Sequence, residues 1–526
     1  MTELQRELPT LDELSLAEKI AQLIFVRIGS NLPPIITVSE DEERVESLLA
    51  ECPIGGLLLF NGQWPSVATT LERLQRASRI PLLVGADLER GAGQQIAELT
   101  VFPHAAAFGQ CGQAAEQLVQ DAAATTAREA IAAGSPLVFG PIADVSTNPK
   151  NPIIATRAFA QTPAEAARFA AASIDGLQAA GAFATAKHFP GHGDTLQDSH
   201  AELPTVDRPL EELQEQELPP FREAIAAGVS TIMTAHVRYP AIAPTGMPAS
   251  FSAPILRGLL REELGFQGVV CSDSLLMEGA RIGFDSEGAM AAAAIHAGVD
   301  LLLDVANPAE VVMHVQGEID AGRLDESLID EAVDRILALK KRIPAATDAS
   351  PISNESLEAG RKLSARVARS AVSFFSGADN RPTLSPGKSV CVVLFKPFNL
   401  PTDPPEQPLA TAVRERFAEY EYRELGPQFS AEVAAEVRNA AAAADQVLLA
   451  IIAKPAAWHA FGMTDAQRQL ANHLTKGENV VVASLGVPTI LADFPERHTK
   501  VCTYSDVPAS QMALIEVLRG DHSAAS

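Results

Sequence analysis

One short segment concentrates the side chains of this chain that could carry acid–base chemistry. Between residues 187 and 200 it holds one lysine, three histidines and two aspartates, with glycines and a proline between them: Lys187, His188, His192, Asp194, Asp198 and His200. Histidine titrates nearest to neutrality, and a neighbouring carboxylate sets its tautomer and its charge. A solvated loop has no need of such a set. We therefore interpret the segment as a catalytic loop.

Three chemistries fit this loop on local grounds. Its histidines and aspartates could bind a divalent metal, although His188 and His192 lie in a segment broken by proline and glycine, which does not assure the helical i, i+4 geometry. Lys187 could form a Schiff base with a carbonyl substrate. Alternatively, a proton donor on the loop could act with a nucleophilic Asp273, as in retaining glycoside hydrolysis. The spacing alone leaves all three open.

The elements that must position these residues follow an alternating pattern. Up to residue 345, short apolar runs alternate with amphipathic, alanine-rich stretches, as in βα units. The candidate strands are Leu23–Val26, Ile54–Phe60, Pro81–Ala86, Pro136–Phe139, Ala182–Ala186, Thr231–Ala235, Gly268–Cys271 and Val299–Leu303. The clearest crossover helices are Pro163–Ala180, with Thr162 as its N-cap, and Ala289–Ala297. This order predicts an α/β fold, a (β/α)8 TIM-like barrel.

In such a barrel the active site lies at the C-terminal ends of the strands. Ionisable side chains recur at these ends: Asp87, Glu89, Asp144, Arg157, Lys187, His188, His236, Asp273 and Asp304. Asp273 follows a buried-strand pattern and should face the barrel mouth, whereas Cys271 should fill the interior below it. Structural roles are open alternatives for others, such as a turn at Asp144, an ion pair at Arg157 and hydrogen-bonded packing at His236.

The chain length and a change of composition predict two domains. Residues 1–345 would form the catalytic barrel, and residues 346–388 a linker with a helical segment. Residues 389–526 would form a smaller, sandwich-like C-terminal α/β domain, because strand-like and helix-like runs alternate there. These runs are Ser389–Phe395, Ala431–Ala443, Gln446–Ala453, Thr464–Thr475 and Asn479–Leu485.

The composition favours a protein that acts on small molecules. A formal net charge of −25 argues against nucleic acid or an anionic membrane surface as a partner. The five cysteines are scattered without a CxxC pair, which favours reduced thiols and gives no zinc signature. The polar, acidic N-terminus carries no secretory signal pattern, and no apolar run is long enough to span a membrane. We therefore expect a cytoplasmic location.

Longer motifs add a resemblance. The segment KHFPGHGDT at residues 187–195, followed by Asp198-Ser199-His200, resembles the signature of the β-N-acetylhexosaminidase branch of glycoside hydrolase family 3. Further segments match that family in the same order: Ala86–Glu89, Ala143–Phe159, Thr234–His236 and Ser272–Ala280. The resemblance covers the chain from about Leu14 to Lys341 and is less specific in the second domain.

The resemblance implies roles for three residues of a retaining reaction. Asp273 would be the nucleophile that forms a glycosyl-enzyme intermediate, His200 the general acid/base, and Asp198 its dyad partner. A histidine acid carries no negative charge beside the nucleophile, and Asp198 would orient it as a triad aspartate does. Gly191 and Gly193 are expected to leave the loop backbone permissive, so that His200 can swing toward the glycosidic oxygen.

The resemblance also implies a sugar site without a cofactor or a metal. Its substrate-binding residues would be Asp87, Arg157, Lys187 and His188, to which we add Asp144 and His236. His192 and Asp194 are then expected to shape the loop. The expected partner is a small-molecule glycan, with neither nucleic acid nor a membrane involved.

Two residues depart from the resemblance. Arg90 stands where many relatives have glycine, and Ser274 where many carry a second aspartate after the nucleophile, which should alter the electrostatics around Asp273. The expected activity is that of an exo-acting β-N-acetylglucosaminidase on muropeptides or chitooligosaccharides. A phosphorylase with the same site, a β-glucosidase and a non-catalytic sugar-binding protein are the alternatives.

Overall fold

The computed structural model of this chain describes residues 8–199, 202–343, 352–376, 384–400, 403–456, 459 and 462–521. The chain divides into two compact units. The first consists of Met1–Val101, Val119–Asn151 and Ala158–Gly360. The second consists of Phe102–Leu118, Pro152–Arg157 and Arg361–Ser526, so it includes two short segments that precede the main part of its sequence.

The first unit is built on eight parallel strands. They are β1 (Ile24–Ile28), β2 (Gly56–Leu59), β3 (Leu83–Ala86), β4 (Leu137–Val138), β5 (Phe183–Phe189), β6 (Thr231–Thr234), β7 (Val269–Cys271) and β8 (Leu302–Leu303). The strands pair in chain order, and β8 also pairs with β1. A parallel bridge between Cys271 and Leu301 joins β7 to the start of β8 and closes the sheet. The predicted (β/α)8 barrel is confirmed.

The strands form where apolar residues run without interruption. All seven residues of β5 are buried, including Lys187 and His188. A barrel strand is covered by helices outside and by side chains inside, so it reads as a continuous apolar run instead of an alternating one. A two-residue ladder of Gly62–Gln63 and Ile96–Ala97 forms a separate small parallel sheet.

Helices connect these strands and cover the barrel. The α-helices are Leu16–Gln22, Glu42–Glu51, Ser66–Ala77, Ala115–Ala132, Pro163–Ala179, Leu210–Gln216, Pro219–Ala226, Glu278–Arg281, Glu287–Ala297, Pro308–Asp320, Glu326–Lys340 and Asn354–Ala371, and Pro254–Glu263 is π-helical. Ser286 caps Glu287–Ala297 by accepting the backbone N–H of Ala289, and Gly298 ends that helix in the left-handed conformation. Thr162 is the N-cap residue of Pro163–Ala179, as predicted; its hydroxyl donates to Glu165 and makes no cap bond to the helix backbone.

The second unit is a three-layer α/β domain. Its strands are β9 (Ser373–Ser376), β10 (Val390–Phe395), β11 (Tyr420–Leu425), β12 (Gln446–Ala453), β13 (Val480–Gly486) and β14 (Thr499–Cys502), in the order β9-β14-β13-β12-β10-β11 with β9 antiparallel. Its α-helices are Ala105–Phe108, Pro408–Arg416, Ala431–Ala443, Asp465–Leu474 and Pro508–Arg519.

Alternate residues of the strands pack into two separate apolar clusters on the two faces of this sheet. Cys391 and Val393 of β10 belong to one cluster, and Val390 and Val392 belong to the other. Helices cover both faces, as expected for a mainly parallel sheet. The predicted α/β character of this domain is confirmed. Within the described ranges, no helix has both the length and the apolar content that crossing a bilayer requires.

Candidate active site

The C-terminal ends of the barrel strands bring the predicted charged residues together. Cys271, at the end of β7, is fully buried, and burial raises the pKa of its thiol well above the usual value. The carboxylates of Asp273 and Asp87 raise that pKa further, whereas the ammonium of Lys187 opposes them. The three charged groups follow β3, end β5 and follow β7, so the ends of these strands lie near one another, and the buried interior position predicted for Cys271 is confirmed.

Lys187 is held between two carboxylates. Its Nζ lies 2.6 Å from Oδ1 of Asp87 and 2.8 Å from Oε1 of Glu89, and its side chain is 2% exposed. Two carboxylates at this distance stabilise the charged ammonium, whereas a Schiff base requires the neutral amine. The geometry therefore suits Lys187 to donating hydrogen bonds, and the partly exposed carboxylate of Asp87 to accepting them.

His188 is oriented by Asp144. Nδ1 of His188 lies 2.7 Å from Oδ2 of Asp144, which also accepts the backbone N–H groups of His188 at 3.2 Å and, on Oδ1, of His192 at 2.6 Å. An ionised carboxylate only accepts, so Nδ1 of His188 is the donor and Nε2 faces away from Asp144. Asp144 is fully buried, and these bonds orient the His188 imidazole. Direct contact of Asp144 with a substrate stays a prediction.

The middle of the loop is closed by internal hydrogen bonds. His192 bridges Oγ1 of Thr195 with Nδ1 and Oγ of Ser199 with Nε2, both at 2.9 Å. Nδ2 of Asn151 donates to the carbonyl of His192 at 2.9 Å, and Arg208 pairs with Asp194 at 2.6 Å. This geometry agrees with loop-shaping roles for His192 and Asp194. Among the described residues, no cluster of His, Cys, Asp or Glu is arranged to hold a metal ion.

The two loop glycines pack closely against other segments of the chain. A Cβ on Gly193 would lie 1.7 Å from the carbonyl oxygen of Val145, and one on Gly191 would lie 2.7 Å from Oε2 of Glu217. Both glycines are therefore required by close packing, and Gly191 also has a φ of 138°. Close packing is thus a second reason for glycine at these two positions, and the swing of His200 stays a prediction.

A buried glutamate lies beneath the loop. Glu217 is 1% exposed, and neither of its carboxyl oxygens has a hydrogen-bond partner among the described residues. Burial, helped by the neighbouring Asp144 charge and opposed by Arg208, raises its pKa to about 8. Glu217 is therefore neutral at neutral pH. The hydroxyl of Tyr239 donates to the carbonyl of Gly191 from the same side of the loop.

The segment after β7 is tied to the loop and to its neighbours. The backbone N–H of Ser274 donates to Oδ1 of Asp273 at 2.7 Å, and Nε2 of the buried His236 donates to the carbonyl of Ser274 at 3.1 Å. The backbone N–H of Gly279 reaches the carbonyl of Ser199 at 3.3 Å. The residues on either side of Ser199 are Asp198 and His200, so the proton-transfer end of the loop is linked to the segment of the predicted nucleophile.

The structure gives fewer contacts for three of the predicted site residues. His200 lies outside the described residues. Asp198 is half-buried, and its carbonyl accepts the backbone N–H of Glu202 at 3.0 Å. Arg157 ends a 3-10 turn that belongs to the second compact unit, where its Nη1 donates to the carbonyl of Ile153 at 3.1 Å. Its role in sugar binding stays a prediction.

Sequence reasoning missed several residues that hold the site. Asn151 and Glu217 gave no local signal, because a polar residue in a loop or a glutamate at a helix end is ordinary. Arg27 gave one: it is a single cation in the apolar run of β1, close to the C-terminal end of that strand. Its guanidinium pairs with Asp304, the last predicted residue at the barrel mouth.

Comparison with known proteins identifies the family. Residues 15–339 match the model of the glycosyl hydrolase family 3 N-terminal domain, which is more than half of the chain. The chain belongs to glycosyl hydrolase family 3. The predicted family and the predicted enzyme class, a glycoside hydrolase, are confirmed.

Relatives of the family 3 chain cover both units. A solved glycoside hydrolase family 3 β-N-acetylglucosaminidase from Paenibacillus sp. str. FPU-7 has a TM-score of 0.85 at 30% identity, covering 97% of each chain. A β-N-acetylglucosaminidase/β-glucosidase of Cellulomonas fimi is 34% identical over 340 residues, 63% of this chain and 58% of that protein. A β-hexosaminidase of Xylella fastidiosa (strain 9a5c) is 38% identical over 263 residues, 48% of this chain and 77% of its own length. The Cellulomonas fimi match thus spans under two thirds of that protein.

Arg90 and Ser274, the two residues at which this family 3 chain differs from the expected motifs, lie in different surroundings. The backbone N–H of Arg90 donates to Oε1 of Gln94 at 2.9 Å, and its half-buried side chain follows directly after Glu89. Ser274 directly follows Asp273, and its hydroxyl donates to Oδ2 of Asp304 at 2.7 Å. The serine is therefore part of the network around the predicted nucleophile.

Proposed function

We propose that this chain is a retaining, exo-acting β-N-acetylglucosaminidase that releases terminal, non-reducing N-acetylglucosamine from small soluble glycans. The relatives from Paenibacillus and Cellulomonas fimi, both named as β-N-acetylglucosaminidases, support this specificity. Muropeptides and chitooligosaccharides are the proposed substrates. The acidic composition and the scattered cysteines support a place in the cytoplasm, with a role in cell-wall recycling.

The observation that carries the proposal is the coupling of the Asp273 segment to the loop of Asp198 and His200. A retaining glycosidase needs a nucleophile on one side of the anomeric carbon and a proton donor beside the leaving oxygen. Asp273 follows β7 at the barrel mouth, and Ser199, between the other two residues, bonds to Gly279 of the same segment. This arrangement supports the assignment of nucleophile and acid to two adjacent segments.

In the proposed reaction, Asp273 attacks the anomeric carbon while His200 protonates the departing glycosidic oxygen. The glycosyl ester of Asp273 forms as that carbon–oxygen bond breaks. Neutral His200 then removes a proton from water, which attacks the anomeric carbon and releases Asp273 as a carboxylate. Asp198 orients the imidazole and stabilises its protonated form in both steps.

The sugar hydroxyls are neutral, and charged partners bind them more strongly than neutral ones. The Lys187 ammonium supplies N–H donors, and the partly exposed carboxylate of Asp87 supplies acceptors. His188 presents its second nitrogen because Asp144 holds the first. We assign these groups to the non-reducing sugar, with Arg157 as a further ligand and His236 as the support of Ser274.

Turnover of aryl glycosides tests the proposal. The wild-type protein should hydrolyse the p-nitrophenyl β-glycoside of N-acetylglucosamine in preference to that of glucose, and Asp273→Ala should abolish the reaction. His200→Ala should slow poor leaving groups much more than good ones, because only poor leaving groups need protonation. Equal losses for both would count against His200 as the acid. If N-acetylglucosamine 1-phosphate forms in phosphate buffer, the enzyme is a phosphorylase instead of a hydrolase.

A further inference from the structure

An ion pair at the barrel mouth has no part in the steps above. Asp304 follows β8 and is 1% exposed. Its carboxylate accepts Nε of Arg27 at 3.1 Å and Nη2 at 2.5 Å, and the guanidinium lies 4.8 Å from the ring centre of Phe60. Arg27 belongs to β1 and Phe60 follows β2, so the pair connects three neighbouring strands at the end where the active site lies.

The same carboxylate holds the residue beside the nucleophile. Oδ2 of Asp304 accepts the hydroxyl of Ser274 at 2.7 Å. The backbone N–H of Ser274 in turn donates to Asp273, and His236 holds its carbonyl. The hydroxyl, the N–H and the carbonyl of Ser274 are therefore all engaged. Because these three hydrogen bonds hold Ser274 in place, its N–H also holds the Asp273 carboxylate in one orientation.

The backbone of Asp304 provides a second, independent observation. Its φ is 66°, in the left-handed region that residues with a Cβ seldom occupy. Such a conformation costs free energy and persists where the surrounding contacts over-determine it, most often at functional sites. The ion pair with Arg27 and the bond from Ser274 are the contacts that hold it here.

We propose that Asp304, paired with Arg27, is a positioning residue that aims the Asp273 carboxylate at the anomeric carbon by way of Ser274. The inference rests on the nucleophile role of Asp273 in the proposed function. It also explains the serine at position 274, where the resemblance expects an aspartate in many relatives. In this chain the second carboxylate is that of Asp304, at the end of β8. It is connected to Asp273 through hydrogen bonds of Ser274.

Pairing keeps this additional charge from opposing the nucleophile. The charged and titratable groups of this part of the barrel include Arg27, Asp87, Glu89, Lys187, His236, Cys271, Asp273 and Asp304. Without Arg27, the Asp304 carboxylate would be uncompensated and would disfavour the ionised form of Asp273. Without the Asp304 charge, Arg27 would favour that ionised form and weaken it as a nucleophile. The two changes act in opposite directions.

Kinetics of Arg27→Gln and Asp304→Asn test the proposal, and asparagine tolerates the left-handed conformation. Both variants should lose about tenfold to a hundredfold in kcat with little change in KM, because a misdirected nucleophile slows the reaction without weakening sugar binding. The acidic limb of the kcat/KM profile should move up by about one pH unit in Arg27→Gln and down in Asp304→Asn. Arg27→Lys, which keeps the charge, should retain the wild-type limb.

Arg335→Gln is the matched control. Arg335 pairs with Asp300 at 2.8 Å, at the opposite end of β8, and its side chain is 29% exposed against 30% for Arg27. This variant should lower Tm and leave the pH profile unchanged. The proposal is overturned if Arg27→Gln and Arg335→Gln give the same profile, or if Asp304→Asn keeps wild-type kcat.

A measurement without turnover separates this inference from the proposed function. Infrared difference spectra between each protein and its Asp273→Asn counterpart report the titration of the Asp273 carboxylate. If the wild-type protein cleaves no glycoside, the proposed function fails. The shift of that titration in Arg27→Gln relative to Arg335→Gln still decides whether the pair acts on Asp273, and an absent shift rejects the inference.

Discussion

Replacement of Glu217 by glutamine should stabilise the protein, and increasingly so as the pH rises. Burial raises the pKa of this carboxyl from the ordinary 4.5 to about 8. Below pH 4.5 the group is protonated in both the folded and the unfolded chain, so it carries no penalty. Between these two pKa values only the unfolded chain releases the proton. Stability is therefore lost steadily as the pH rises toward 8.

The size of the effect follows from the two pKa values. At pH 7 the unfolded carboxyl has passed its pKa by 2.5 units, and each unit corresponds to about 1.4 kcal/mol, so the penalty is about 3 kcal/mol. A glutamine of the same shape cannot ionise and avoids this cost. For a unit of this size, the gain corresponds to a rise in Tm of about 4–5 °C at pH 7.

Thermal unfolding of both proteins between pH 5 and pH 8 measures this difference. The two Tm values should nearly coincide at pH 5 and separate steadily toward pH 8. Glu129→Gln is the control, because this buried glutamate accepts the N–H and the hydroxyl of Thr100, and an amide there should lower Tm. A gap between wild type and Glu217→Gln that is constant with pH, or that narrows toward pH 8, would refute the reasoning.

Three further outcomes are expected. Lys340→Met should raise Tm most at low pH, because burial lowers the pKa of this lysine to about 7 and charging it below that pH is costly; thermal scans from pH 6 to 9 check the trend. Gly193→Ala should lower Tm, and should lower kcat/KM by at least about tenfold, because its Cβ would clash with the Val145 carbonyl; thermal scans and steady-state kinetics measure the two effects. Asp144→Asn should raise KM about tenfold by releasing His188, as glycan titrations would show.

The barrel strands could be predicted because each is buried on both faces. Their apolar runs stand out from the helical stretches, and all eight occur within a few residues of the expected positions. The expected list did not include β11, at the edge of the second sheet, where most side chains of Tyr420–Leu425 are exposed and polar. It also lacked β9, the short antiparallel strand at the other edge of that sheet, and β14 (Thr499–Cys502), which lies between β9 and β13. The two edge strands bury too little surface to leave a clear apolar run, and β14 has only four residues, of which Thr499 and Lys500 are polar.

Site residues that share one sequence motif could be predicted, whereas contacts between residues far apart in the chain could not. Lys187, His188 and the loop around them share one motif, so a short segment of sequence was enough to find them. The pair of Arg27 and Asp304 joins residues 277 positions apart, and neither neighbourhood shows its partner. The role of Gly193 depends on a carbonyl from another loop. Contacts that form only when distant strands meet leave no pattern along the chain.

The carboxyl groups around the loop act as a set, because buried like charges oppose one another. Asp144 accepts the N–H groups that orient His188, and its charge is one cause that raises the pKa of Glu217. A neutral Glu217 therefore avoids a second negative charge beside Asp144. Above about pH 8 the charge of an ionised Glu217 would lie against Gly191, which packs directly on it. We therefore expect an alkaline loss of activity that arises beneath the loop, and Glu217→Gln should shift it to higher pH in a pH–rate profile.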